Sequence, residues 1–75
     1  MAIPDAFGAV IRELRLKRGL SQEALALETG LDRTFISMLE RGLRQPSGTS
    51  IIALSNALGV RASVFMQKVE KLLDT

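Results

Sequence analysis

Apolar residues recur along this chain at intervals of three and four positions, which is the period of an α-helix. The first stretch forms one apolar face from Phe7, Val10, Ile11 and Leu14. Four further stretches follow, each bounded by glycine or by a short polar segment. The pattern predicts an all-α fold of five helices, the first beginning after Asp5 and the others covering about residues 22–29, 33–41, 48–58 and 62–73.

The residues that flank these stretches suit helix ends. Four predicted helices follow a side chain that can accept hydrogen bonds from the free amides of the first turn, namely Asp5, Ser21, Asp32 and Ser47. The same four helices end at a glycine, which adopts the left-handed conformation at little cost: Gly19, Gly30, Gly42 and Gly59. Residues 1–4 are predicted to form a short arm before the first helix.

The stretch 21–42 predicts two short helices joined by a glycine turn. The second helix combines an apolar back, Ile36 and Leu39, with a polar and basic start. When such a helix docks in the DNA major groove, its first turn reaches the base edges. Arg33 can bond a guanine through two donors, and Thr34 offers a hydroxyl and a methyl group. Considered alone, Arg33 is equally well explained as a surface residue after a helix cap.

The composition narrows the classes of function. The chain has 75 residues, a net charge of +2 and a sequence pI of about 9.7, which permits a nucleic-acid partner without requiring one. Cysteine and histidine are absent, so we predict no catalytic residue, no metal site and no cofactor. The N-terminus lacks the pattern of a signal peptide and no apolar run approaches a membrane span, so we expect a cytoplasmic protein without membrane contact.

Basic side chains outside the helix pair are interpreted by their position. A solvated face is the preferred reading for the polar side of the first helix, which carries Arg12, Arg15, Lys17 and Arg18. Arg18 lies at the end nearest the second helix, where it can reach a phosphate. Residues 41–61 contain three arginines and no acid. On the loop after the third helix, Arg44 and Gln45 are placed to contact the DNA backbone.

The last predicted helix has a wider apolar arc than a terminal helix on a small domain needs. Surplus apolar surface favours self-association. We therefore predict a homodimer through a surface within about residues 50–73, formed by Ile52, Met66, Val69 and Leu73. The alternative is that the whole arc packs on the first and fourth helices of its own chain.

The helix order and one set of spaced residues resemble the phage repressor and Cro-like helix-turn-helix family. The set consists of Gln22, Ala26, Gly30, Ile36, Ser37, Glu40, Gly42 and Pro46. The similarity covers about residues 7–66, and the segment GLDRTFISMLERG most resembles the controller proteins of bacterial restriction–modification systems, which are small dimers. It implies one five-helix, lambda-repressor-like domain over residues 1–75, with the helix-turn-helix at helices 2 and 3, about residues 21–42.

The resemblance assigns roles to individual positions. The base-reading positions are Arg33, Thr34, Ser37 and Met38. A second set of residues is predicted to contact the DNA backbone, some from the resemblance and some from their place in the chain. These residues are Arg18, Ser21, Gln22, Phe35, Arg41, Arg44 and Gln45. Glu40 matches an acid that pairs near the end of the helix. Two residues depart from the family pattern: Met38 replaces a polar or basic residue, which argues against a hydrogen-bonded readout, and Ser55 replaces a buried alanine, which would loosen the core.

These features predict a sequence-specific regulator of transcription that binds double-stranded DNA as a homodimer. The operator would have matching two-fold symmetry, with half-sites about one helical turn apart. The resemblance implies regulation of its own promoter, and Glu23 is a candidate contact for RNA polymerase if the protein also activates. The alternative is an antitoxin or adaptor that uses the same fold for protein interaction, against which the basic start of the third helix argues. The lack of a glycine-rich phosphate loop and of paired acids in a cleft disfavours an enzyme.

Overall fold

The computed structural model describes residues 1–74. Within them five helices follow one another without a strand: α1 (Ile3–Lys17), α2 (Gln22–Thr29), α3 (Arg33–Glu40), α4 (Gly48–Ala57) and α5 (Ala62–Leu73). The predicted all-α fold is confirmed. No single helix in this part of the chain is long and apolar enough to cross a membrane. The pair α4 and α5 reaches that length and composition only when taken together, with a bend of 105° between them.

Three of the predicted N-caps are confirmed. The hydroxyl oxygens of Ser21 and Ser47 accept hydrogen bonds from the amides three residues on, at 3.0 and 3.1 Å. The carboxylate of Asp32 accepts one from the amide two residues on, at 3.1 Å. Each bond satisfies a donor that has no partner within its helix, so these side chains specify where α2, α3 and α4 begin.

The predicted start of α1 is wrong. The helix begins at Ile3 after an extended Ala2, so Asp5 lies within the first turn and residues 1–4 are not a separate arm. Pro4 is compatible with this start because the first turn of a helix needs no backbone N–H from its residues. The carboxylate of Asp5 remains in the first turn, where the helix dipole favours a negative charge.

One apolar core holds the five helices together, with α1 packed against both α3 and α5, and α2 against α3 and α4. The buried side chains of this core are Ala6, Phe7, Val10, Ile11, Leu14, Leu25, Ala26, Ile36, Leu39, Leu54, Leu58, Phe65 and Val69. Ser55 is also buried, and its hydroxyl donates to the Ile52 carbonyl at 3.1 Å. The Ser55 hydroxyl is therefore hydrogen-bonded within its own helix. It leaves no unpaired buried polar group that would loosen the core as expected.

Most of the apolar arc of α5 is used inside its own chain, as the alternative reading proposed. Val69 is only 1% exposed, so we remove it from the predicted dimer surface: it contacts the core and has no area to offer a partner. Met66 and Leu73 are partly buried against the same core. Ile52 on α4, in contrast, remains 57% exposed.

The approach of α1 to α3 requires a glycine. A Cβ atom at Gly8 would lie 2.4 Å from the carbonyl oxygen of Leu39 and 2.7 Å from that of Glu40. Both neighbours are backbone atoms at the end of α3, so they cannot rotate away as a side chain would. Gly8 therefore determines how closely the middle of α1 lies against the end of α3.

We expect Gly8→Ala to lower the free energy of unfolding by about 1–3 kcal/mol, because the added methyl group overpacks a site closed by backbone. Chemical denaturation would measure this loss. Gly48→Ala is the control, since a Cβ atom there meets no atom within 4 Å and should leave stability unchanged or slightly raised. Equal stability of the two variants would contradict a close contact between α1 and α3.

Candidate nucleic-acid interface

The turn between α2 and α3 is made by Gly30, whose φ of 74° lies in the left-handed region. α3 then places Ile36 and Leu39 in the core, both with no exposed surface. Because a helix turns once in 3.6 residues, its remaining positions point elsewhere. The predicted base-reading residues fall there, with two exposed and two half-buried, in the order Arg33, Thr34, Ser37 and Met38.

A buried ion pair fixes the far end of α3. The Arg15 guanidinium donates to both carboxylate oxygens of Glu40, Nε to Oε2 at 2.6 Å and Nη2 to Oε1 at 2.9 Å. Its Nη1 donates to the Leu20 carbonyl at 2.8 Å. The two side chains are only 10% and 2% exposed. The predicted pairing role of Glu40 is confirmed, whereas the solvated-face reading of Arg15 is wrong, because α3 covers that side of α1.

The ion pair also affects the acid–base chemistry of Arg15. Its hydrogen bonds to Glu40 raise the pKa of the guanidinium, burial opposes this by lowering the pKa, and the charge of Glu40 raises the pKa further. A raised pKa in the folded state stabilises the fold at every pH below the ordinary arginine pKa, and the contribution is lost only in strong alkali. The Arg15 guanidinium therefore stays charged throughout the physiological range.

The first residue of α2 joins the same cluster. The Gln22 side-chain amide donates through Nε2 to Glu40 Oε1 at 3.2 Å. One carboxylate therefore links α1, α2 and α3. The amide group of Gln22 still has a second N–H and a carbonyl oxygen for another partner. The orientation of the Gln22 side chain is thus set in the free protein. Its contact with the DNA backbone stays a prediction.

The other residues predicted to contact the DNA backbone differ in whether their side chains already have partners within the protein. Arg18 donates to the Ala57 carbonyl at the end of α4 and lies 3.8 Å from a Glu28 carboxylate oxygen, so its guanidinium already has partners within the protein. Ser21 and Gln45 are exposed. The predicted DNA contacts of these three residues remain predictions.

Two arginines extend α3 into the loop that follows it. The Nε of Arg41 donates to the Ser37 carbonyl at 3.4 Å, which turns this side chain back along the helix. The guanidinium carbon of Arg44 lies 5.3 Å from the centre of the Phe35 ring. Within residues 1–74, Arg33 and Arg44 have no ion pair and no hydrogen bond through their side chains. The start of α3 and the loop after it therefore carry positive charges that form no ion pair with any acid among the described residues.

The family assignment rests on sequence as well as on this geometry. The profile of the helix-turn-helix family matches residues 11–65. The control protein C.BamHI of Bacillus amyloliquefaciens is 50% identical to this chain over 56 residues, which make up 73% of this chain and 69% of that protein. The chain belongs to the controller proteins of the helix-turn-helix family. The resemblance noted in the sequence is confirmed.

Solved structures of controller proteins share the fold of this family member. The restriction–modification controller C.AhdI of Aeromonas hydrophila is similar with a TM-score of 0.79 and 42% identity, over 83% of this chain and 94% of that one. The controller C.Esp1396I, solved as a tetramer with its natural 35-base-pair operator, is similar with a TM-score of 0.84 and 34% identity, over 95% and 93% of the two chains.

Two residues that position the interface were missed in the sequence, Gly8 and Arg15. Both share a helical face with Ile11, at distances of three and four positions, and this spacing was the available signal. The charge of Arg15 favoured an exposed position in the sequence analysis, because a charged side chain is rarely buried without a partner. The partner, Glu40, lies 25 positions away and is brought near only by the fold.

We expect Arg15→Met to lower the free energy of unfolding by about 3–5 kcal/mol, because it leaves the Glu40 carboxylate buried with Gln22 as its remaining side-chain donor. Thermal and chemical unfolding would measure the loss.

Two comparisons make this test specific. Lys68→Met breaks an exposed pair with Glu13, 3.9 Å apart, and should cost only about 0–1 kcal/mol. The double change of Arg15 and Glu40 to methionine should recover part of the stability, because no unpaired charge is left. A loss at Arg15 no larger than that at Lys68 would contradict a structural role for the buried pair.

Proposed function

We propose that this protein is the controller of a restriction–modification system, a transcriptional regulator that binds its operator as a homodimer through α3. The observation that carries the proposal is the asymmetry of α3. Its back and C-terminal end are anchored by Ile36, Leu39 and the Arg15–Glu40 pair, while its first turn presents Arg33, which has no side-chain partner among residues 1–74. A helix anchored in this way can enter a major groove without reordering.

The proposed base contacts of α3 follow from the chemistry of each side chain. Arg33 would bond the O6 and N7 of a guanine with two donors, and Thr34 would offer a hydroxyl or its methyl group to a neighbouring base. Ser37 lies one turn further along α3 and offers a hydroxyl. Met38 is half-buried and has only an apolar surface, so its proposed contact is with a thymine methyl group.

Contacts to phosphates would set the position of α3 on the duplex without reading sequence. We propose Gln22, Arg41, Arg44 and Gln45 for this role, with Ser21 at the start of α2. Phe35 has no donor for a phosphate, so its proposed part in the backbone contact runs through its contact with Arg44. Arg18 contacts Ala57 and Glu28 through Nη1, so a phosphate would meet its remaining N–H donors or displace these partners.

The proposed dimer is centred on α4 and the adjoining part of α5. Ile52 is an isoleucine that is 57% exposed, and Met66 and Leu73 are partly covered by their own core. Two copies joined through this surface would present two α3 helices to half-sites roughly 10 base pairs apart. The tetramer of C.Esp1396I on its operator supports a second level of assembly, in which two dimers share one control region.

Regulation would follow from the concentration of the dimer in the cytoplasm, acting at the promoter of its own gene. Glu23 is exposed in the first turn of α2 and is the proposed contact for RNA polymerase when the bound dimer activates transcription.

We expect Arg33→Ala to weaken binding to the operator by about 1–3 kcal/mol and to relax the preference at one base pair in each half-site. Selection of bound duplexes from a random pool would supply the operator, and titration of single-base variants would measure the preference. Arg12→Ala is the control, because Arg12 is also exposed and unpaired in the described structure but lies on α1. A uniform loss over all sequences would instead make Arg33 a phosphate contact.

We expect Ile52→Asp to convert the dimer to a monomer, because a buried carboxylate without a partner is strongly unfavourable. Light scattering and sedimentation would report the mass. Leu16→Asp is a matched control, since Leu16 is also 57% exposed but lies on α1 outside the proposed surface. If Ile52→Asp keeps the mass of the unaltered protein, the proposed dimer surface is wrong.

A further inference from the structure

The ring of Phe35 and the guanidinium of Arg44 form a contact between α3 and the loop that follows it. The Arg44 Cζ atom lies 5.3 Å from the ring centre, within the distance at which a cation is attracted by an aromatic face. Phe35 is half-buried and packs against the core, so its ring has a fixed support. Arg44 is exposed. The helix therefore holds the loop side chain, rather than the reverse.

The contact uses one part of the guanidinium and leaves the other free. A guanidinium is planar, with its five N–H donors directed outward in the plane and its two faces available for stacking. The guanidinium carbon lies over the Phe35 ring, and no described residue accepts a hydrogen bond from the Arg44 side chain. The donor edge is thus open, and a planar donor edge fits two phosphate oxygens.

The position of the stack suits a role on DNA. Phe35 directly follows the proposed reading residues Arg33 and Thr34 in the first turn of α3. A long arginine on a free loop loses much rotamer freedom when it binds, whereas one already stacked has less to lose. The ring therefore couples the loop cation to the orientation of the reading helix.

We propose that Phe35 is a positioning residue, whose ring holds Arg44 so that its guanidinium edge meets a phosphate beside the bases that α3 reads. This inference rests on the proposed DNA binding and names how one of its phosphate contacts is set. It assigns to the phenylalanine a function through Arg44 that an aliphatic side chain of similar size would lack.

The test is a double-mutant cycle on the operator selected by the unaltered protein. Phe35→Leu should weaken binding about 2- to 5-fold, and Phe35→Tyr, which keeps the ring, should bind like the unaltered protein. In an Arg44→Ala background, Phe35→Leu should have little further effect. Arg44→Ala alone should also reduce the salt dependence of binding by about one ion. Equal effects of Phe35→Leu in both backgrounds would overturn the inference, since loss of packing alone does not depend on Arg44.

Two further measurements test the inference even if the Phe35→Leu variant does not fold. Arg44→Lys keeps the charge on an exposed side chain but removes the planar face, and should bind about 2- to 5-fold more weakly than arginine. Lysine that binds as tightly as arginine would overturn the inference. In the free protein, the Phe35 ring should shift the Arg44 side-chain proton resonances upfield, as would the ring in Phe35→Tyr. Unshifted resonances in the unaltered protein would show that the stack is absent.

These outcomes separate the inference from the proposed function. If the unaltered protein selects no duplex, both fail. If it selects an operator, and Arg33→Ala relaxes specificity while the Phe35–Arg44 cycle is additive, only the positioning role of Phe35 fails. Coupling in the cycle together with the shifted resonances would support both.

Discussion

One buried ion pair, between Arg15 and Glu40, sets how α3 lies against α1 and α2. Removing two charges from water is unfavourable, and the pair can offset this only because its geometry is bidentate and because Leu20 and Gln22 complete its hydrogen bonds. Apolar packing is non-directional and would hold three helices together in several arrangements. The hydrogen bonds of this cluster have fixed directions, so they select one orientation of α3 relative to α1 and α2.

The close approach of α1 and α3 belongs to the same arrangement. Gly8 and Arg15 lie on one face of α1, seven positions apart, and both contact the end of α3. The end of α3 is therefore held by backbone contact and by charge, whereas its first turn has the Asp32 cap and the packing of Phe35 against the core. A recognition helix supported at its back and far end needs little ordering when it binds. Rigid support of this kind is what precise base contacts require.

The candidate site was largely predictable because its chemistry is local. The start of α3 is basic and polar in the sequence, and the structure leaves those side chains exposed. The dimer surface was less predictable, because an apolar residue on a helix can face its own core or a partner with the same periodicity. Val69 and Ile52 illustrate this, since they are 1% and 57% exposed although both are branched apolar residues on helices.

The sequence by itself determined the five helices, the caps at Ser21, Asp32 and Ser47, and the turn at Gly30. These features depend on hydrogen bonds and backbone conformations within about four positions of each residue. The tertiary structure decided the rest. Arg15 is buried because Glu40 arrives from another helix, Val69 is buried in the core where α5 packs against α1 and α4, and the loop after α3 places a guanidinium over the Phe35 ring. Each of these outcomes depends on which distant segment lies opposite, and periodicity within one helix carries no information about its neighbour.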